Sequence, residues 1–146
     1  MVQLVESRRE ELELFCQWEK SNDTSEYIIP YDLERHLEEF DKSEIIYLSI
    51  VFDSSVVGFV ILILEDDMKS VEFRRIVVNE KGQGIGQATL REVDTYCFDK
   101  LNRKRIWLDV FSFNLRGVHI YEKHEYQRIG EASFDGKKLF VYEKWL

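Results

Sequence analysis

A glycine-rich segment between a β-like segment and an amphipathic helix constrains this sequence more than any other feature. The upstream segment, residues 71–78, is rich in β-branched and aromatic residues without glycine or proline, which predicts a strand. Downstream, apolar residues recur at spacings of three and four from Ile85 to Cys97, which predicts a helix that ends near Leu101. The segment KGQGIGQA, residues 81–88, therefore joins a strand directly to the start of a helix.

Glycines at alternate positions of this segment, Gly82, Gly84 and Gly86, leave the backbone amides at the helix start uncovered. Free amides and the helix dipole make such a place a site for an anion, so we expect a phosphate group there. A dinucleotide fingerprint is excluded, because its third glycine would have to stand at Gln87 or Thr89. A Walker loop is excluded too, because Gln87 follows Gly86 where that loop has lysine. An ordinary tight turn is the alternative.

The same segment resembles the pyrophosphate loop of the GNAT superfamily of acyl-CoA N-acyltransferases, Gln/Arg-x-x-Gly-x-Gly/Ala, with Lys81 at its first position. Residues 105–126 resemble the second signature of that superfamily, in which a strand precedes Asn-x-Arg-Ala and a short helix with Leu-Tyr-Glu-Lys. Two signatures in this order are hard to obtain by chance. The sequence is therefore identified as a member of the superfamily, most like the branch that acetylates ribosomal-protein N-termini and other small amines.

The predicted elements and the resemblance imply an α/β fold with a mixed, centrally splayed sheet of about six to seven strands and helices on both faces. Strands are expected at residues 2–5, 45–52, 56–64, 71–78, around Trp107, and at 126–129 and 139–143. Helices are expected from Ser7, from about Tyr31, from Ile85 and over residues 115–123. A crossover helix precedes the Trp107 strand, so this strand can lie parallel to the one that carries Glu72. The gap where the two diverge would take an extended cofactor arm.

The resemblance also implies how acetyl-CoA, the acyl donor, is bound. Backbone groups at the end of the strand before the glycine segment would pair with the pantetheine arm, and one amide would polarise the thioester carbonyl. The glycine segment would hold the pyrophosphate, and Lys81 would add a positive charge. Asn114 would contact the pantetheine arm and Lys123 the 3′-phosphate, with a plain helix N-cap and a solvated lysine as the alternatives. The implied cofactor-binding residues are Ile76, Val77, Val78, Lys81, Gly82, Gln83, Gly84, Ile85, Gly86, Gln87, Asn114 and Lys123.

Two residues match the proton-transfer positions of the superfamily. Acetylation of an amine needs a base for the amine and an acid for the departing thiolate. Tyr121 stands where relatives have the general acid, and Glu72 stands where several have a base that acts through water. Strand alternation predicts that Glu72, Arg74, Ile76 and Val78 share one face. The alternatives are a packing role for Tyr121 and an ion pair with Arg74, or a solvated carboxylate, for Glu72.

The sequence thus predicts an acetyl-CoA-dependent N-acetyltransferase that acts on a primary amine of a small molecule or a protein N-terminus by direct attack in a ternary complex. A non-catalytic acyl-CoA-binding regulatory module is the alternative. The chain of 146 residues is expected to form one domain, residues 1–146. Its net charge of −8 argues against nucleic acid and suits a cationic acceptor, although solubility also explains it.

The remaining composition predicts the setting of this activity. Cys16 and Cys97 lie far apart and no secretory segment precedes them, which predicts a reducing cytoplasm. No cysteine or histidine spacing indicates a metal site. The longest apolar run, residues 56–64, is much shorter than the roughly twenty residues of a membrane span. Nothing in the sequence fixes the oligomeric state, and a homodimer is compatible with it.

Overall fold

The computed structural model describes residues 1–146, apart from the side chains of residues 22 and 23. Its strands are β1 (Val2–Glu6), β2 (Ile45–Phe52), β3 (Ser55–Leu64), β4 (Ser70–Val78), β5 (Arg105–Phe111), β6 (Gln127–Phe134) and β7 (Lys137–Trp145). Its α-helices are α1 (Leu12–Glu19), α2 (Asn22–Ser25), α3 (Leu33–Phe40), α4 (Ile85–Thr95) and α5 (Leu115–Lys123). The first helix begins later than predicted from Ser7, because a 3-10 turn over Arg9–Glu11 precedes it.

The strands form one seven-stranded sheet in the order β1-β2-β3-β4-β5-β7-β6. All neighbours are antiparallel except β4 and β5, which run parallel and are connected through α4. These two strands pair only from Ser70 with Arg105 to Glu72 with Trp107, and then separate. This confirms the mixed, splayed sheet, and it makes Glu72 the last residue of β4 that is paired with β5.

Helices cover both faces of the sheet, as predicted. On the face that we call the α4 face, Leu90 and Val93 of α4 belong to one buried cluster with Phe73 and Leu108 of the strands. On the opposite face, the α1 face, the second cluster brings α1 together with strands β2, β3 and β4. The sheet therefore has a separate apolar core on each side, and the gap between β4 and β5 lies between the two.

Strand β4 contains a one-residue bulge at Arg74. Ile61 of β3 is paired with Arg75 and Leu62 with Phe73, so Arg74 has no partner in the register of the two strands. A bulge of this kind inverts the alternation of side chains beyond it, because consecutive residues of a strand otherwise point to opposite faces. Odd-numbered residues of β4 consequently face one core before the bulge and the other core after it.

The bulge corrects the expectation that Glu72, Ile76 and Val78 share a face. Glu72 is paired with Ile63, which packs against the α1-face core, whereas Ile76 and Val78 pack against the α4-face core. Beyond the bulge it is Val77 that enters the α1-face core. Simple alternation was wrong here because it assumed an unbroken ladder.

Candidate active site

The glycine segment forms an open amide cradle at the start of α4. Gly84 is the N-cap residue of this helix at φ 70°, and Gly82 has φ 79°, a region that favours glycine. In the described part of the chain, no backbone carbonyl accepts a hydrogen bond from the amides of residues 82–87. A Cβ atom added at Gly82, Gly84 or Gly86 would meet no heavy atom within 4 Å. These amides therefore face open space at a helix start, an arrangement that suits an anion, and phosphate binding there stays a prediction.

The end of β4 offers a second backbone site next to this cradle. After Glu72, residues 73–78 continue to pair with β3 on one side but no longer with β5 on the other. Backbone N–H and C=O groups along that free edge face the gap, where an extended chain can add like a further strand. Ile76, Val77 and Val78 lie on this edge, so their placement suits the predicted contact with the pantetheine arm.

Asn114 is the N-cap residue of α5, which is the alternative role that the sequence analysis gave for it. Its Oδ1 accepts a hydrogen bond from the Gly117 amide at 2.9 Å. A Cβ atom at Gly117 would lie 2.6 Å from Asn114 Nδ2, so glycine at this position gives the capping side chain room. Lys123, at the other end of α5, is exposed and therefore free to reach a ligand at the surface.

Tyr121 projects from α5 toward the gap in the sheet. Its ring packs edge-on against Tyr126 at 5.7 Å between centroids and lies against the α4-face core. Burial, with a smaller contribution from the charge of Asp109, raises the pKa of Tyr121 to about 12. The hydroxyl therefore stays protonated at neutral pH and can donate a proton or a hydrogen bond.

Glu72 is held by the bulged arginine on the α1 face. Arg74 Nε donates to one oxygen of Glu72 at 3.0 Å and Nη2 donates to the other at 2.9 Å. Burial alone would lower the pKa of Arg74, but the hydrogen bonds and the negative charge of Glu72 raise it above its ordinary value. The ion pair that the sequence offered as an alternative is thus present, at the position where β4 leaves β5.

Asp109 is a second carboxylate at this place, and the sequence reasoning missed it. Leu108 and Val110 belong to the α4-face core, so alternation puts Asp109 on the α1 face, as Glu72 is. Solvent in the gap reaches this carboxylate, yet burial among the surrounding protein raises its pKa, and the charge of Glu72 adds to the effect while Arg74 opposes it. The pattern of an acidic residue inside an apolar strand could have found it.

The structure thus brings Glu72, Asp109 and Tyr121 to the gap, with the amide cradle at one end of it. Within the described residues, no group of three or more His, Cys, Asp or Glu could hold a metal ion. In the same part of the chain, no helix is both long and apolar enough to cross a membrane.

A splayed sheet, a free strand edge and an amide cradle together define an acyl-CoA-dependent acyltransferase. Residues 7–126 match the acetyltransferase (GNAT) family, so the chain belongs to this family. It is an N-acetyltransferase that takes the acetyl group from acetyl-CoA and transfers it to a primary amine, as the sequence predicted.

Relatives of known activity and solved structures agree with this assignment. The chain is 27% identical over 104 residues to the spermine/spermidine N(1)-acetyltransferase of Bacillus subtilis, covering 66% of this chain and 68% of that one. The fold is similar to that of spermidine N-acetyltransferase from Vibrio cholerae in complex with CoA and spermine, with a TM-score of 0.83, 19% identity, and coverage of 99% of this chain and 95% of that one. An aminoglycoside acetyltransferase in complex with coenzyme A and kanamycin has a TM-score of 0.84 at 15% identity, with the same coverage.

Proposed function

We propose that the preferred acceptor is a primary amine that carries further positive charge, of the polyamine type. The observation that carries this proposal is the pair of carboxylates, Glu72 and Asp109, on the same face of the sheet where β4 and β5 separate. Arg74 neutralises Glu72 by binding both of its oxygens, which leaves the charge of Asp109 to attract a cation on the acceptor side of the gap. The overall charge of −8 acts in the same direction by attracting cations.

The relatives support the same class of acceptor. The Bacillus subtilis and Vibrio cholerae enzymes are named for spermine and spermidine, which are aliphatic polyamines. A protein N-terminus stays the second candidate, because the resemblance in the sequence also includes the ribosomal branch. A binding module without catalysis has less support, since a module that only binds acyl-CoA needs neither an acid nor paired carboxylates at the gap.

The proposed reaction uses one group on each side of the gap. A carboxylate on the α1 face takes a proton from the acceptor ammonium, directly or through a water molecule, and the freed amine attacks the thioester carbon. Backbone amides at the end of β4, over residues 76–78, hold and polarise the carbonyl oxygen. As the new N–C bond forms and the C–S bond breaks, Tyr121 gives its hydroxyl proton to the departing sulfur. The nitrogen then loses its second proton to solvent, and the Tyr121 phenolate takes one back from solvent.

Glu72 and Asp109 are both proposed as the base, and two physical arguments rank Asp109 first. Burial raises the pKa of Asp109 above its ordinary value, toward the neutral range where a general base is most effective. Among the described residues, no side chain donates a hydrogen bond to Asp109, whereas Arg74 occupies both oxygens of Glu72.

Turnover with matched acceptors tests the proposal, with release of free thiol as the readout. We expect kcat/KM for spermidine to exceed that for a monoamine of similar length by roughly 10-fold or more, since each 1.4 kcal/mol of interaction is one factor of ten. Asp109→Asn should reduce this preference, and high salt should raise KM for spermidine more than for the monoamine. Equal values for the two acceptors, unaffected by salt, would remove the case for a charged acceptor.

The compartment also remains a proposal. Cys16 and Cys97 are both buried free thiols, which supports a reducing cytoplasm. Burial raises the pKa of Cys97 to about 12, so this thiol is unreactive at neutral pH and is not a candidate nucleophile.

A further inference from the structure

Four buried side chains form a hydrogen-bonded network behind the α1 face, and none of them takes part in the reaction described above. His36 is fully buried, and its Nε2 and Nδ1 lie 2.7 Å from Glu19 Oε1 and from the Tyr47 hydroxyl. Glu19, also fully buried, accepts a hydrogen bond through Oε2 from Arg75 Nη1 at 2.6 Å. This network joins helices α1 and α3 to strands β2 and β4, so it connects four elements through four side chains.

The proton positions in this network follow from its chemistry. Glu19 faces the guanidinium of Arg75 and is therefore ionised, so it can only accept, and His36 Nε2 must carry a proton that it donates. Burial raises the pKa of Tyr47 well above its ordinary value, so its hydroxyl keeps its proton beside His36 Nδ1. Each of the four side chains thus has a hydrogen-bond partner, while Arg75 Nε is buried without one.

This network holds the segment between α2 and α3 at two points. Arg75 Nη2 donates to the carbonyl of Ile29 at 2.9 Å, and the amide of Tyr31 donates to Glu19 Oε1 at 3.1 Å. Arg75 also lies over the Tyr31 ring, with its guanidinium carbon 4.1 Å from the centroid. Residues 29–31 are therefore fixed by groups that never reach solvent.

The same network is connected to the carboxylate pair of the gap. Arg75 directly follows Arg74, the bulged residue of β4. Arg74 in turn binds both oxygens of Glu72. A displacement of Arg75 would thus move its neighbour Arg74, and with it a carboxylate on the proposed acceptor side.

We propose that Glu19 and Arg75 are positioning residues for the acceptor, which hold residues 29–31 and the Glu72–Arg74 pair in place beside the gap. A buried ion pair adds little net stability, because the cost of removing two charges from water offsets their attraction. What the pair provides through its bonds to His36, Ile29 and Tyr31 is a fixed geometry, and small misplacements of a substrate are costly in rate. This inference rests on the proposed function in one respect: it takes the α1 face as the side on which the acceptor binds.

The test compares two conservative variants of equally buried arginines. Arg75→Lys keeps a positive charge beside Glu19 but lacks the second arm that binds the Ile29 carbonyl and the flat face over Tyr31. Arg103→Lys is the matched control, because Arg103 is 7% exposed against 8% for Arg75 and binds the carbonyls of Glu65 and Ser70 at the opposite end of β4. Both variants should lose melting temperature to a similar extent.

Kinetics should separate the two, using whichever primary amine the wild type acetylates fastest, charged or neutral. Arg75→Lys should raise KM for the amine by roughly 10-fold while KM for acetyl-CoA stays within a factor of two, since a shift of about 1 Å in a substrate is enough for such losses. Arg103→Lys should change neither constant. Hydrogen exchange provides a readout without substrate: the Tyr31 amide should exchange faster in Arg75→Lys and keep its wild-type rate in Arg103→Lys.

The outcomes distinguish this inference from the proposed function. An unchanged amine KM in Arg75→Lys, despite a clear loss of melting temperature, would show that the network serves stability alone. An equal rise in both variants would show a general effect of destabilisation. A wild type that prefers neutral amines would overturn the charged acceptor but leave this test intact, because the same comparison is then made with a neutral amine.

Discussion

Asp109 and Tyr121 lie on opposite faces of the sheet, yet the charge of Asp109 helps to raise the pKa of Tyr121, after the larger effect of burial. The two groups interact through the gap that opens where β4 leaves β5. A direct transfer needs this arrangement, with a base on the amine side, an acid on the sulfur side and the reacting carbonyl between them. In the proposed reaction, the sheet itself thus separates the two proton transfers.

The acid role of Tyr121 predicts the effect of Tyr121→Phe. The change removes the proton donor and keeps the ring that packs against Tyr126, so the fold should persist. We expect kcat to fall by roughly 10²-fold or more with little change in the affinity for CoA, the usual scale for one general acid. Steady-state kinetics and calorimetry with CoA measure the two quantities. A wild-type kcat in this variant would return Tyr121 to a packing role.

The base role predicts a different pH dependence for the carboxylate variants. Asp109→Asn should lower the rate most on the acidic limb of the pH–rate profile and recover as pH rises, because a free amine then forms without help. Glu72→Gln serves as the comparison, and the variant with the larger acidic loss identifies the stronger base. Tyr121→Phe should show no such recovery. Two carboxylate variants with the wild-type profile would mean that water carries the proton.

The raised pKa of Asp109 predicts a pH-dependent gain in stability when its charge is removed. A carboxyl group whose folded pKa lies above its ordinary value of 3.8 disfavours the folded state once it is ionised. Asp109→Asn should therefore raise the melting temperature at pH 7. The gain should shrink as the pH falls through the folded pKa and vanish below the ordinary value, where both states are protonated. A constant gain across this range would assign the effect to packing instead of charge.

The amide cradle predicts the consequence of a side chain at Gly84. Gly84→Val should abolish the rise in melting temperature that CoA produces, because a branched side chain would fill the space in front of the free amides. Gly136→Val is a matched control for backbone strain, since Gly136 has φ 75° and equally open surroundings in the β6–β7 turn. The control should lose stability but keep the CoA shift, as measured by thermal unfolding. Equal loss of the shift in both variants would contradict a specific cradle.

Local patterns predicted the frame of this fold well. The strand, the glycine segment and α4 follow one another as residues 71–101 indicated, because β-branched runs, glycine spacing and helical periodicity are properties of neighbouring residues. The parallel placement of β5 followed from the crossover. The family signatures supplied the splay, which no local pattern contains.

Features that depend on contacts between residues far apart in the sequence were not predicted. The bulge at Arg74 is defined only by the pairing register with β3. The sequence of β4 alone therefore predicted the wrong face for Glu72. The buried network joins Glu19, His36, Tyr47 and Arg75, which are far apart in the chain and meet only after folding. Asp109 was missed because its role depends on the gap beside it, which the segment RIWLDV does not reveal even though an acidic residue inside an apolar strand stands out there.

The bulge at Arg74 also has a consequence for how such an enzyme can change over generations. Because it inverts the side-chain phase in the middle of β4, Glu72 before it lies on the α1 face, while Ile76 and Val78 after it pack against the α4-face core. A substitution at Glu72 can retune the proposed choice of amine without disturbing Ile76 and Val78 at the proposed donor site. One strand thereby supports two independent lines of variation, and deletion of a single residue at the bulge would join them again.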